Sequence, residues 1–238
     1  MMMPRLHSTP PDAFRERVRE SISICGRTYQ FDRPLGLDKL FDHPAVRSAY
    51  DADEYIPYWA DLWPAARMLA ETIVQEPWSE RSATGDKLEA LEIGCGLGLS
   101  GIVALACGLR VTFSDVDEAA VQLAASNARL NGFHDFETAA IDLRATPDRR
   151  FPVLLAADIC YEIRLTEAAA KFIAAALAPG GLALVTDTDR YSARSFRWQL
   201  EQAGMKVTVT PKKTGEPGNQ SKGYLYRITH NGSGSELQ

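Results

Sequence analysis

The chain has 238 residues, a length that suits one domain with a sizeable core. Hydrophobic residues at 45% and charged residues at 24% exclude the collagen-like, fibrous and disordered classes. Lysine plus arginine at 26 against aspartate plus glutamate at 31 gives a formal charge of −5, without the global basic field of a nonspecific nucleic-acid binder, so no stable nucleic-acid partner is expected.

Met1-Met2-Met3-Pro4-Arg5 leads into polar residues, so no secretory signal is expected, and Asp12, Glu16 and Glu20 among the early arginines speak against a mitochondrial presequence. No apolar run approaches the roughly 18 residues that span a bilayer. A cytoplasmic location without membrane attachment is the expectation. Cys25, Cys95, Cys107 and Cys160 include no C-x-x-C pair, which suggests free thiols and no zinc knuckle. His7, His43, His134 and His230 have no metal-ligand spacing, so no metal is expected.

Residues 1–61 read as an N-terminal extension, with a short polar helix near Asp12 to Glu20 and strand-like alternation at Ile22, Ile24, Tyr29 and Phe31. Residues 62–230 read as the main domain. Pro64 opens a helix at a position where its missing N–H is harmless, with Ala65, Leu69 and Ile73 on one face, and Gln75 to Lys87 is a polar connector. Strand Leu88 to Ile93, helix Leu99 to Cys107 and strand Arg110 to Ser114 form a βαβ unit. The helix from Glu118 to Asn131 has Asp117 as its N-cap and Gly132 beyond its end. Strands follow near Phe136 to Ile141 and Pro152 to Ala157, and a helix from Glu167 to Ala178 is stopped by Pro179-Gly180-Gly181. Strand Leu182 to Thr186 and a helix near Ala193 to Ala203 come next. The closing strands Lys206 to Thr210 and Tyr224 to Ile228 are joined by the turn-rich stretch Pro211 to Gly223, and Asn231 to Gln238 reads as a disordered tail.

Glu92-Ile93-Gly94-Cys95-Gly96-Leu97-Gly98 follows a strand and precedes a helix, the context that makes a glycine pattern a cofactor site. Asp115, at the end of the next strand, suits both hydroxyls of a ribose, so an adenosine-type ligand is expected. Gly96-x-Gly98-x-x-Gly101 also satisfies the dinucleotide fingerprint, with Asp115 at 115 − 96 = 19 residues from its first glycine, so spacing does not separate NAD from S-adenosylmethionine. Charge does: Glu92 suits a cationic methionyl group and would repel a pyrophosphate at the helix N-terminus. Asp142, after the third strand, fits either recognition of an adenine amino group or a plain turn.

Leu91 to Gly98 resembles motif I of the class I, seven-strand S-adenosylmethionine-dependent methyltransferases, and the similarity covers roughly Tyr55 to Ile228. It implies a Rossmann-like α/β fold with a mostly parallel sheet of order 3-2-1-4-5-7-6, strand seven antiparallel, and helices on both faces. It also implies S-adenosyl-L-methionine as cofactor, held by Trp63, Glu92, Gly94, Cys95, Gly96, Leu97, Gly98, Asp115, Val116, Asp142, Leu143 and Ala157. Trp59-Ala60-Asp61-Leu62-Trp63-Pro64 and Asp158-Ile159-Cys160-Tyr161-Glu162 are similar to the protein-lysine methyltransferases of this class, especially those that act on the electron-transfer flavoprotein β subunit. Methyltransferases of amide or adenine nitrogens carry Asn-Pro-Pro-Tyr where this chain has Asp158 to Tyr161. The resemblance therefore implies a lysine-bearing protein substrate, with Asp158 and Tyr161 as the catalytic pair.

Methyl transfer to an amine is an in-line displacement that needs alignment and exclusion of water. Asp158 would orient the amine and Tyr161 would offer a π face or a hydroxyl. A nearby carboxylate favours the charged form of a lysine, whereas the sulfonium and desolvation disfavour it, and the residues alone leave that balance open. Trp59 and Trp63 fit the mouth of the site or the core. Arg144, Arg149 and Arg150 are expected on a solvated loop face. Two other functions stay open: a small-molecule or nucleic-acid N-methyltransferase, and a noncatalytic nucleotide-binding module.

Overall fold

The computed structural model describes residues 14–36, 39–40, 42–53, 56–81, 85–161, 163–216 and 218–232. Asp12, Glu162 and residues 233–238 of the expected tail lie outside them.

An antiparallel hairpin, β1 (Arg17–Ile24) and β2 (Arg27–Pro34), opens the described chain. The polar helix expected near Asp12 to Glu20 is replaced by the first half of β1. Alternation explains the difference: Ile22, Ile24, Tyr29 and Phe31 point inward while the charged residues of Arg17 to Glu20 stay at the surface. Helix α1 (Pro44–Asp53) follows, then a 3-10 turn (Tyr58–Ala60) and α2 (Pro64–Gln75), which Pro64 opens. The polar connector contains a short helix, α3 (Trp78–Arg81), pinned by the Trp78 indole N–H donating to the Ile73 carbonyl at 2.8 Å.

The main sheet comprises β3 (Glu89–Ile93), β4 (Arg110–Asp115), β5 (Glu137–Ala140), β6 (Phe151–Ala157), β7 (Leu177–Asp187), β8 (Met205–Glu216) and β9 (Asn219–His230). Its order is β5-β4-β3-β6-β7-β9-β8. Counted from β3 this is 3-2-1-4-5-7-6, and β9 pairs antiparallel with both neighbours, as the sequence implies. Helices α4 (Leu99–Ala106), α5 (Glu118–Leu130), α6 (Ile163–Ala176) and α7 (Phe196–Gln202) alternate with the strands. Asp117 caps α5, its carboxylate accepting the Ala119 amide at 2.9 Å.

Alternation along β3 sorts its side chains between two cores. Ala90 packs with Leu69, Ile102, Phe113 and the hairpin residues Tyr29 and Phe31, whereas Leu91 and Ile93 pack on the other face with Ile173 and Phe196. Burying each such large side chain stabilises by about 1.5–3 kcal/mol. The hairpin therefore shares its core with the sheet. Asn127, fully buried on α5, fastens it: Asn127 accepts the Asp32 amide at 2.9 Å and donates to the carbonyls of Asp32 and Leu97 at 3.1 and 3.0 Å.

Three boundaries differ from the sequence reading. Helix α6 ends at Ala176, and Pro179-Gly180-Gly181 forms a bulge inside β7, because β7 pairs first at Leu177 and again from Leu182. The last helix begins as a 3-10 turn (Tyr191–Ser195) before α7. The stretch Pro211 to Gly223 continues the β8–β9 ladder out to Glu216 and Asn219. Pro211 is tolerated there because β8 is an edge strand, where a missing N–H costs no ladder bond.

Candidate active site

The carboxyl ends of β3, β4 and β6 open into a cleft of about 610 Å³. Parallel strands that diverge over neighbouring helices place ligand sites at this edge. The turn after β3 is shaped by Gly94 and Gly96, both in the left-handed region at φ 63° and 49°. A Cβ on Gly94 would stand 3.1 Å from Ile159, and one on Gly96 would stand 3.3 Å from the Trp59 carbonyl. Glycine at these two positions thus lets the turn pack closely against Ile159 and the Trp59 backbone in the wall of the cleft.

Every residue expected at the site lines this cleft except Gly98: Trp63, Glu92, Gly94, Cys95, Gly96 and Leu97 on one side, then Asp115, Val116, Asp142, Leu143, Ala157, Asp158 and Tyr161. Gly98 instead precedes α4 at φ 84°, where a Cβ would press on Ala124 at 2.9 Å, so its role is to let α4 pack against α5. Among the described residues no cluster of three or more His, Cys, Asp or Glu could hold a metal.

Two buried carboxylates dominate the electrostatics. Glu92 projects on the α4 side of the sheet, and its Oε2 has no hydrogen-bond partner. Burial pushes its pKa up to about 8, the Asp115 charge adds to this, and Ser100 and the Gly101 amide offset only part. Asp115 accepts the Gly96 amide on Oδ2 and the Asp117 amide on Oδ1, both at 3.1 Å. Each oxygen keeps a second lone pair, so a vicinal diol can still be received. Burial also raises Asp115, to about 6. Asp142 differs: Arg144 forks onto both its oxygens at 2.6 to 3.0 Å and holds its pKa below the usual carboxylate range.

Asp158 ends β6 at φ 55° and is nearly buried. Arg190 donates to both its oxygens at 3.1 and 3.2 Å, and the Thr188 hydroxyl donates at 3.2 Å. Behind it, the Asp187 Oδ1 accepts the Arg190 amide at 2.9 Å, while Oδ2 is buried without a partner and burial raises the carboxyl to about 6. Aromatic rings wall the cleft here: Tyr58 lies 5.6 Å from Tyr161 and 6.1 Å from Trp63 between centroids. The Trp59 indole donates to Asp117 at 2.8 Å, tying residues 56–63 over the glycine turn.

Both tryptophans in question, Trp59 and Trp63, therefore line the cleft. Sequence reasoning missed Tyr58, Arg164 and Arg190, which come from separate loops and helices with no shared spacing. Arg144, Arg149 and Arg150 are exposed, as expected of a solvated loop face. Within that face Arg144 pairs with Asp142 at the rim of the cleft, and Arg149 bridges Glu137 at 2.7 Å with its guanidinium 4.5 Å from the Phe151 ring.

Residues 91–183 match a family model described as a methyltransferase domain. The chain is 26% identical over 150 residues to the electron transfer flavoprotein beta subunit lysine methyltransferase of Mus musculus, covering 61% of this chain and 57% of that protein. It thus spans little more than half the length of that relative. A 58-residue stretch, 24% of this chain and 21% of the relative, is 45% identical to the ribosomal protein L11 methyltransferase of Campylobacter jejuni. Among solved structures, the N-methyltransferase NodS of Bradyrhizobium japonicum, in complex with S-adenosyl-L-homocysteine, superposes with a TM-score of 0.55 at 19% identity over 74% of this chain and 92% of its own. A putative RNA methyltransferase of Pyrococcus horikoshii gives 0.57 at 15% identity over 72% and 86%. These structural likenesses establish the Rossmann-like fold. A methyltransferase domain of the matched kind implies S-adenosylmethionine as cofactor. The chain fits it, since the unpartnered buried oxygen of Glu92 suits a cation, Asp115 a diol and the glycine turn a close approach.

Proposed function

We propose that this chain, a methyltransferase of the class I fold, transfers a methyl group to the side-chain nitrogen of a lysine in a protein substrate. The observation that carries the reading is the placement of Asp158 and Tyr161 on the wall of the same cleft that holds Glu92 and Asp115. The distant likeness to a lysine methyltransferase supports the choice of acceptor.

S-adenosylmethionine, when bound, supplies an electrophilic methyl carbon on a cationic sulfur. Gly94, Gly96 and Cys95 would receive the methionyl part beside Glu92, and Asp115 would accept the ribose hydroxyls. Val116, Asp142 and Leu143 would flank the base. Trp63 and the ring pair of Tyr58 and Tyr161 would exclude water and guide an aliphatic stem toward the end of β6. Asp158 would accept an N–H of the incoming amine and so aim its lone pair.

Tritiated methyl transfer into a cell extract tests the acceptor. Label in a protein band, recovered as methyllysine after hydrolysis, is the expected result. Label confined to RNA or small molecules would overturn the lysine assignment. The Asp158→Ala variant should lose transfer while keeping cofactor affinity within about twofold, a change of less than 0.5 kcal/mol.

A further inference from the structure

Arg190 belongs to no motif, yet it occupies the position in the cleft that a basic acceptor would seek. Its Nε and one terminal nitrogen cover both oxygens of Asp158, and its guanidinium carbon stands 5.2 Å from the centre of the Trp63 ring. Its own amide is anchored on Asp187, so the loop after β7 is held in place. Arg190, Asp158 and Trp63 all line the cleft.

A nearly buried carboxylate facing an aromatic wall is by itself a trap for ammonium ions, because both groups attract cations. An ammonium held there has no lone pair to offer. A guanidinium changes this, since it stays charged throughout the accessible pH range and its planar fork matches the two carboxylate oxygens. The surrounding charged groups do not undo the pairing. Asp187 lies behind the wall and is 1% exposed, Asp189 belongs to the same loop, and Tyr58, Asp61 and Arg164 line the cleft from other elements.

We propose that Arg190 is a specificity-determining residue: it fills the cation position between Asp158 and Trp63, so that the acceptor subsite receives a neutral amine and turns away permanent cations. The proposal rests on the reading of the cleft as an amine-methylating site. Asp158 keeps the capacity to accept one N–H from a neutral amine, because each carboxylate oxygen has two lone pairs.

The test uses the full chain saturated with S-adenosylhomocysteine and titrated with n-butyltrimethylammonium chloride, followed by tryptophan fluorescence. The Arg190→Gln variant should bind this probe at least tenfold more tightly than the unaltered protein, equivalent to about 1.4 kcal/mol. Arg190→Lys should keep the exclusion, and Arg190→Gln combined with Asp158→Asn should lose the gained binding. Equal affinity in the unaltered protein and Arg190→Gln, or undiminished binding in the double variant, would overturn the proposal. Should Arg190→Gln not fold, Arg190→Met keeps an unbranched side chain without the charge and gives the same readout. No methyl transfer is measured, so failure here is separate from failure of the extract labelling.

Discussion

The side-chain amide of Asn127 donates to the Leu97 carbonyl at 3.0 Å, which fastens the glycine-rich turn to the C-terminal half of α5. The same residue bonds both backbone groups of Asp32, so one buried side chain joins the hairpin to the cofactor turn. Replacing it by alanine takes the partner from the buried Leu97 carbonyl and from the part-buried amide and carbonyl of Asp32. Asn127→Ala should destabilise the protein by about 2–4 kcal/mol in urea unfolding. A loss below 0.5 kcal/mol would mean that the hairpin is held by its apolar contacts alone.

Glu92 carries a conflict between stability and ligand binding. Its folded pKa of about 8 lies above the 4.5 of an ordinary glutamate, so the folded protein binds more protons than the unfolded chain between these values. The stabilisation is complete below pH 4.5 and is lost as pH rises through 8, an effect on the order of a few kcal/mol. Glu92→Gln removes the charge and keeps the shape. The variant should melt at a higher temperature than the parent at pH 8.5 while binding S-adenosylmethionine at least tenfold more weakly. A lower melting temperature at pH 8.5 would contradict the account of its burial.

Cofactor affinity should itself depend on pH. A cation beside Glu92 and a diol on Asp115 both prefer the ionised carboxylate, so each group must lose its proton before it binds at full strength. Affinity should rise by about tenfold per pH unit up to roughly 8, with Asp115 adding to the slope below about 6. Calorimetry in two buffers of different ionisation enthalpy should register proton release at pH 7. Affinity that stays flat from pH 6 to 8.5 would show that Glu92 does not face the ligand, and no steepening below pH 6 would show the same of Asp115.

Gly101 sits where α4 crosses the sheet, and a Cβ there would lie 2.4 Å from the Phe113 ring and 2.5 Å from Glu92 Oε2. Both neighbours are buried, so neither side chain can swing into solvent. Gly101→Ala should cost about 1–3 kcal/mol by differential scanning calorimetry and weaken cofactor binding by displacing Glu92. An unchanged melting temperature would indicate that α4 shifts freely.

The glycine-turn side of the cleft was legible because its parts are local. A strand, a glycine turn and an acid at the end of the next strand lie within Glu92 to Asp115, and parallel pairing of β3 with β4 then brings them to one edge. On the wall at the end of β6 the sequence singled out only Asp158 and Tyr161. Arg190 lies 190 − 158 = 32 residues further on, in a loop whose position depends on β6 pairing with β7. The hairpin was half misread because Arg17 to Glu20 presents charges in a run, which resembles a solvated helix until a partner strand is known. Pro211 to Gly223 misled for the opposite reason: proline and glycine mark turns, yet pairing with β9 extends the strand through them.

The backbone of Asp158, at φ 55°, restricts what can stand at the end of β6. Only glycine, asparagine and aspartate enter that conformation at small cost, and a β-branched side chain is nearly barred from it. Redesign of the acceptor preference is therefore confined to three residue types at this position, one anionic, one amide and one without a side chain. Wider changes of substrate would have to come from the surrounding rings and from residue 190, whose side chains are free of that backbone constraint.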